Sequence, residues 1–206
     1  SGDIDPGIIF HMMRKGGMSA ADVEKNLNRA SGVLGITAHW ADRRDIENAA
    51  AEGDKIALAA QELEGYRIKK YIGAYYAALG RVDAIGFTAV VGEMGPVTRH
   101  LSTLGLEKMG IIVDPDRNTK SNGRNAELEI STPDSPVKVY VIPTDEELVM
   151  TEDAYALMSG TYDVHTNYKY SFQDPSYVNR QREAGLANDL KKKPYLAGLI
   201  AHPKKN

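Results

Sequence analysis

Three short segments of this sequence combine residue types that can do chemistry on phosphate. The first is Asp42-Arg43-Arg44. Asp42 is explained as a helix N-cap, but each arginine in a first helical turn opposes the helix dipole by about 0.3–1 kcal/mol. Guanidinium groups beside helix N-terminal N–H groups make a phosphate site; a solvated arginine is the plainer alternative for Arg44. The second is the turn from Thr88 to Pro96, a small-residue connection that leaves a strand and opens a helix. Such a turn can point backbone N–H groups at an anion, although Val90 and Val91 are β-branched and resist the positive φ of tight phosphate loops. Pattern alone favours an ordinary strand-to-helix turn there. The third is Thr144-Asp145-Glu146-Glu147. Thr144 suits the cap and Glu147 the acid position of a capping box, which leaves Glu146, at the second helical position, over for a hydrated Mg2+. Asp3 and Asp5 are further acids, with Asp5 before Pro6 explained as the shaper of a turn.

Other chemistries are excluded. The chain has no cysteine, so disulfides, thiolate zinc sites and cysteine nucleophiles are ruled out together. Walker, zincin and dinucleotide-binding motifs are missing. Asp114, Asp116 and Asn118 begin like a calcium loop, but Thr119 stands where glycine is required and Asn125 where glutamate is, so the segment reads as a surface turn. The five histidines (His11, His39, His100, His165 and His202) show no ligand spacing and read as structural or exposed. A net charge of −3 is too balanced for a polybasic nucleic-acid surface. No apolar run approaches the roughly 20 residues of a membrane helix, and the start Ser1-Gly2-Asp3-Ile4-Asp5-Pro6 has no signal-like pattern. No nucleic-acid partner, no membrane and a cytoplasmic location are therefore expected.

The elements that must position these segments are signposted. At 206 residues with 42% hydrophobic and 26% charged content, the chain suits one large globular domain or a little more. Ser19 and Asp22 fit a capping box flanked by Met18 and Val23, and Gly32 suits the left-handed position beyond the end of that helix. A second helix is expected from Asp42 to Gly53 and a long third from about Lys55 to Leu79, with Ile68, Ile72, Tyr75 and Leu79 forming one buried stripe. Val82 to Thr88 reads as a strand, Pro96 as the start of a helix, and Gly110 to Val113 as another strand. Glu127 to Ile130 and Val137 to Ile142 read as strands joined by a hairpin-like turn at 132–136. A helix from Thr144 to about Ala156 follows, so the class is α/β. Residues 157–206 differ: Tyr162, Tyr168, Tyr170, Phe172, Tyr177 and Tyr195 lie among polar residues, with Gln173 to Leu190 helical in part. This stretch reads as an extension packed on the same domain or on a dimer partner. Aromatics beside Lys191-Lys192-Lys193 also suit a nucleic-acid surface, which the net charge disfavours.

Together these segments resemble the acetate and propionate kinase family over about residues 1–150. Gly2-Asp3-Ile4-Asp5-Pro6 is similar to the end of its G-T-R-x-G-D-x-D-P signature. Ser31-Gly32-Val33-Leu34-Gly35-Ile36 and Asp42-Arg43-Arg44-Asp45-Ile46 are similar to its S-G-L-L-G-I-S…D-x-R-D-I stretch. Ile130-Ser131-Thr132-Pro133-Asp134-Ser135 and Pro143-Thr144-Asp145-Glu146-Glu147-Leu148 are similar to I-S-T-P-D-S and P-T-[ND]-E-E-L.

The resemblance implies the C-terminal domain of an actin/Hsp70/sugar-kinase type fold with a ribonuclease H-like βα core, spanning 1–156. It implies phosphoryl transfer between ATP and acetate, giving acetyl phosphate and ADP, with Mg2+. Asp42, Arg43, Arg44 and the segment Ala89, Val90, Val91, Gly92 and Met94 would then serve the nucleotide, and Glu146 the Mg2+. A missing N-terminal domain would carry the acetate pocket and most catalytic groups, and a homodimer is implied. Two departures stand out. The family's F-T-G-G-I-G-E-N becomes Phe87-Thr88-Ala89-Val90-Val91-Gly92-Glu93-Met94, and the arginine of G-T-R falls immediately before Ser1. The chain alone is expected to be inactive. Propionate or another short acid in place of acetate, and a non-catalytic relative with a degraded nucleotide loop, are the alternatives.

Overall fold

The computed structural model of the chain describes residues 2–164 and 167–201, so His165, His202 and Ser1 lie outside the described residues. The chain divides into two compact units, Ser1–Ala74 and Tyr75–Asn206.

In the first unit, α1 (Pro6–Lys15) begins with the Asp5 side chain accepting the Gly7 N–H at 2.7 Å and Pro6 in the first helical position. The expected Asp5-Pro6 turn is therefore a helix start, since proline sacrifices only an N–H that a first turn leaves unpaired. Helix α2 (Ala20–Arg29) has the expected capping box: Ser19 Oγ accepts the Asp22 N–H at 3.2 Å and Asp22 Oδ2 accepts the Ser19 N–H at 3.1 Å. A short α3 (Gly32–Thr37) follows at once, with Gly32 at φ +65°. Helix α4 (Arg43–Ala51) is capped by Asp42. Helix α5 (Lys55–Leu79) runs to the end of the unit and beyond it, with the expected limits.

Small side chains let α4 and α5 approach closely. The core comprises Ile46, Ala50, Ala57 and Ala60, with Val33, Ile36 and Trp40 packed against it. The expected stripe on α5 is not what the helix buries. Its buried residues are Ala57, Ala60, Gln61 and Gly65, while Tyr75 and Leu79 are 64% and 68% exposed. Periodicity identifies an apolar face, but burial requires a neighbour across from it.

The second unit is built on a three-stranded sheet of order β1-β3-β2. Strand β1 (Ala84–Phe87) runs parallel to β3 (Lys138–Val141), with Ala84 opposite Lys138 and Phe87 opposite Val141. Strand β2 (Leu128–Glu129) runs antiparallel to β3, as the hairpin reading requires. Alternation on β3 buries Val139 and Val141, which pack in the same core as Ile111, Leu128 and Ile130. Gly110 to Val113 makes only single bridges, Ile111 with Val137 and Val113 with Ser131. The chain turns away there because Asp114 caps α8 (Pro115–Lys120), accepting the Asp116 and Arg117 N–H groups. The calcium-like segment is thus a helix start, not a surface turn, and Asn118 is buried.

Two helices precede α8. Residues 89–94, read from the sequence as part of a turn, form α6 (Ala89–Met94), and α7 (Pro96–Thr103) follows with Pro96 in its first turn. After the sheet come α9 (Glu146–Ser159) and α10 (Arg180–Lys192). The described residues beyond 156 belong to the second unit and contact its other elements. Tyr170 is buried with its hydroxyl donating to Asp153, Asn179 donates to Asp145, Arg182 pairs with Glu127, and Leu128 bridges Ile200. Tyr162, Tyr168, Tyr170 and Phe172 form a chain of ring contacts, stacked at either end and edge-on between Tyr168 and Tyr170. Among the described residues no helix is long and apolar enough to cross a membrane.

Candidate functional site

The candidate residues separate between the two units. Asp42, Arg43 and Arg44 belong to the first; Ala89 to Met94 and Glu146 belong to the second.

At the start of α4, Asp42 Oδ1 accepts the Arg44 N–H at 2.8 Å, the cap expected from the sequence. The same carboxylate holds the Arg44 guanidinium, with contacts of 3.1 Å to Nε and 2.7 Å to Nη2. Those bonds hold the Asp42 carboxyl well below the usual range, at about 2. The Arg44 side chain is 85% exposed. Arg43 is used differently: its guanidinium pairs with Glu47 at 2.9 Å and with Glu64 on α5. Nearby carboxylates thus offset the dipole conflict of both arginines. Arg43 ties α4 to α5, whereas Arg44 stands at the surface where an anionic ligand can compete for it.

In the second unit the strand-to-helix connection contracts to Thr88, with Ala89 opening α6. Ala89 takes the strained conformation, at φ +59°, while Val90 and Val91 are helical. A methyl-bearing residue in the left-handed region costs roughly 1–2 kcal/mol. Gly92 packs closely on β1: a Cβ there would lie 3.0 Å from the Phe87 carbonyl carbon, a tight contact. Val90 and Met94 face outward, 62% and 43% exposed. Glu93 alternates inward and is 4% exposed.

That inward glutamate reaches the third segment. Glu93 Oε1 accepts the Thr144 N–H at 3.0 Å and lies 3.1 Å from the Thr144 hydroxyl. The hydroxyl also lies 2.7 Å from Glu146 Oε1. Thr144 is therefore not the cap of α9. Asp145 is, accepting the Leu148 N–H at 3.2 Å, which moves Glu146 to the first helical position and removes the capping role assigned to Glu147. Glu146 is exposed. Its carboxyl is held below the usual range, first by the Thr144 hydroxyl and then by a backbone N–H.

One ionised, exposed carboxylate fits Mg2+, which keeps several waters and takes one or two carboxylates together with phosphate oxygens. Among the described residues no group of three or more His, Asp or Glu side chains could hold an ion alone, so the fit is to an ion shared with phosphate. Beside Glu146 a cavity of about 350 Å3 is lined by Leu148, Val149, Phe172, Tyr177 and Arg182.

Sequence reasoning missed two residues of this site. Glu93 carries no local signal, because its partner Thr144 lies 51 residues away. Arg99, on α7, is fully buried. Its guanidinium donates to the Gly92 and Glu93 carbonyls at 2.8 and 2.9 Å, to Asn118 Oδ1 and the Asn118 carbonyl at 2.7 Å each, and to the Ser121 carbonyl at 3.1 Å. Burial pulls its pKa down to about 10, which leaves it a cation at neutral pH. It clamps the C-terminal carbonyls of α6 and so fixes the helix that carries Glu93. Alternation of apolar and polar residues gives no signal for such a group.

Comparison with known proteins follows the same residues. The Acetokinase family profile matches residues 1–152. The acetate kinase of Treponema pallidum is 56% identical over 200 residues, covering 97% of this chain and 45% of that protein. The acetate kinase of Trichlorobacter lovleyi is 53% identical over 178 residues, covering 86% and 42%. Among solved structures, Porphyromonas gingivalis acetate kinase superposes with a TM-score of 0.69 at 42% identity, covering 77% of this chain and 39% of the other. A propionate kinase from Francisella tularensis gives 0.63 at 33% identity, covering 71% and 36%. The chain thus spans less than half the length of these relatives, and its fold is of the actin/Hsp70/sugar-kinase type.

Proposed function

This chain belongs to the acetokinase family, and from that premise we propose that it supplies nucleotide-binding and metal-binding groups of an acetate kinase. The reaction is transfer of the γ-phosphoryl of ATP to acetate: a carboxylate oxygen forms the new bond to phosphorus, the bond to the ADP oxygen breaks, and acetyl phosphate and ADP result. Such transfer depends on positioning and charge neutralisation more than on covalent chemistry. Asp42 and Arg44 serve the nucleotide, Arg44 by exchanging its hydrogen bonds with Asp42 for bonds to phosphate. The segment 89–94 approaches the nucleotide through its backbone, and Glu146 holds Mg2+. That ion, when bound, draws charge from the transferring phosphoryl group. The acetate site and the remaining catalytic groups belong to the rest of the enzyme, so this chain alone forms no acetyl phosphate. The enzyme works in the cytoplasm as a homodimer.

The observation that carries this reading is the exposed, ionised Glu146 at the start of α9, hydrogen-bonded through Thr144 to the helix at 89–94. In the full-length enzyme, Glu146→Ala should lower turnover about 100-fold or more. Near-normal turnover removes Glu146 from the site.

A second reading draws on Ala89, Val90 and Met94, which stand where the resembling motif has glycines and asparagine: a relative that has lost its nucleotide and serves assembly. Calorimetric titration of ATP into the full-length protein separates the two, because absence of heat at millimolar nucleotide supports the second. Propionate against acetate is decided by the ratio of kcat/KM for the two acids.

A further inference from the structure

Glu93 is a buried carboxylate to which phosphoryl transfer assigns nothing. Burying a carboxylate is expensive unless its oxygens are hydrogen-bonded, and a neutral side chain would fill the same space at less expense. Its Oε1 is spent on Thr144, and its Oε2 faces the exposed Arg124 at 3.8 Å. Thr144 has one hydroxyl hydrogen, yet two carboxylate oxygens lie within its reach: Glu146 at 2.7 Å and Glu93 at 3.1 Å. One hydrogen serves one acceptor at a time. Glu146 makes the shorter contact, and Glu93 holds the backbone N–H as well.

We propose that Glu93 is a positioning residue for the metal-binding carboxylate, anchoring Thr144 by its main chain and accepting its hydroxyl when a divalent cation occupies Glu146. This rests on the assignment of Mg2+ to Glu146 made above. The anchor does two things. It fixes the chain one residue before α9 caps, so that the Glu146 carboxylate stands in one place. It also gives the threonine hydroxyl a second acceptor, so that when Glu146 is released to a cation the hydroxyl turns to Glu93 and Thr144 stays in place. Because Glu93 rides on α6, clamped by Arg99, the nucleotide segment and the metal carboxylate are held to one another.

The test uses the full-length enzyme with ADP and Mn2+ as the spectroscopic probe, its binding followed by electron paramagnetic resonance without turnover. Outer partners of metal ligands typically contribute about 10- to 100-fold in metal affinity. Glu93→Leu should therefore weaken Mn2+ binding about tenfold or more, while ADP affinity measured in EDTA changes less than about twofold. Glu93→Gln, which keeps an acceptor for the Thr144 N–H, should restore most of the Mn2+ affinity. Wild-type Mn2+ affinity in Glu93→Leu overturns the proposal, as does an equal loss of Mn2+ and of metal-free ADP, which marks a merely structural role. If Glu93→Leu does not fold, Glu93→Asp decides: it keeps the charge but falls short of Thr144, and unchanged Mn2+ affinity there is equally fatal. Glu146→Ala measured alongside separates the two assignments. If it binds Mn2+ normally, the Mg2+ assignment fails; if it loses Mn2+ while Glu93→Leu does not, only the positioning role fails.

Discussion

Replacing Arg99 is the sharpest test of how the second unit is held together. Its guanidinium makes five hydrogen bonds, to the Gly92, Glu93, Asn118 and Ser121 carbonyls and to Asn118 Oδ1, and no solvent reaches it. Each buried hydrogen bond is worth about 1 kcal/mol net, and acceptors left unsatisfied cost up to about 3 kcal/mol each. Against that stands the desolvation of the cation, visible in the depression of its pKa to about 10. Removing the side chain recovers that term but leaves the acceptors and a void. Arg99→Met should then destabilise the protein by about 3–5 kcal/mol, at the upper end of single substitutions. Arg99→Lys should recover only part, because an ammonium has three donors and no planar fork for five acceptors. Urea unfolding followed by circular dichroism reads both. A loss under about 1 kcal/mol for Arg99→Met would mean that the clamp contributes little, and that α6 is fixed by its packing on Phe87 instead.

Two further perturbations follow from local geometry. Ala89→Gly removes a Cβ from φ +59°, so a gain of about 0.5–1 kcal/mol is expected after allowing for the greater chain entropy of glycine, and a lower melting temperature would contradict the strain. Tyr170 is buried, and burial together with its bond to Asp153 pushes its pKa up to about 12, above the value near 10 of an unfolded chain. The contribution of that tyrosine to stability should be complete below pH 10 and lost progressively towards pH 12; burial also raises Tyr140, so absorbance titration of tyrosinate should show more than one late group, and the step near pH 12 should vanish in Tyr170→Phe.

What could be read from the sequence was local in origin. The Ser19–Asp22 box, the Asp42 cap and the helix from Lys55 to Leu79 depend on residues a few positions apart, and all three form as expected. The strands at 84–87, 128–129 and 138–141 depend on apolar patterning and a turn between them. Errors arose where a distant partner chose between local options. The valines at 90 and 91 argued against a tight turn, and the chain met that objection by placing the positive φ on Ala89 and making the valines helical. Tyr75 and Leu79, on the apolar face that the periodicity picks out, are largely exposed.

The start of α9 carries the same logic furthest. Asp145 and Thr144 are both N-cap residue types, with aspartate the stronger. Glu93, more than 50 residues earlier, reinforces that preference by occupying the N–H and approaching the hydroxyl of Thr144, which leaves the cap to Asp145. Moving the cap by one residue puts Glu146 at the first helical position instead of the second, with its carboxylate exposed and bonded to the threonine. A buried acid thus helps to set where an exposed acid stands. It is legible only in the fold, because the two share no sequence neighbourhood, and it ties the position of the exposed Glu146 carboxylate to helix α6.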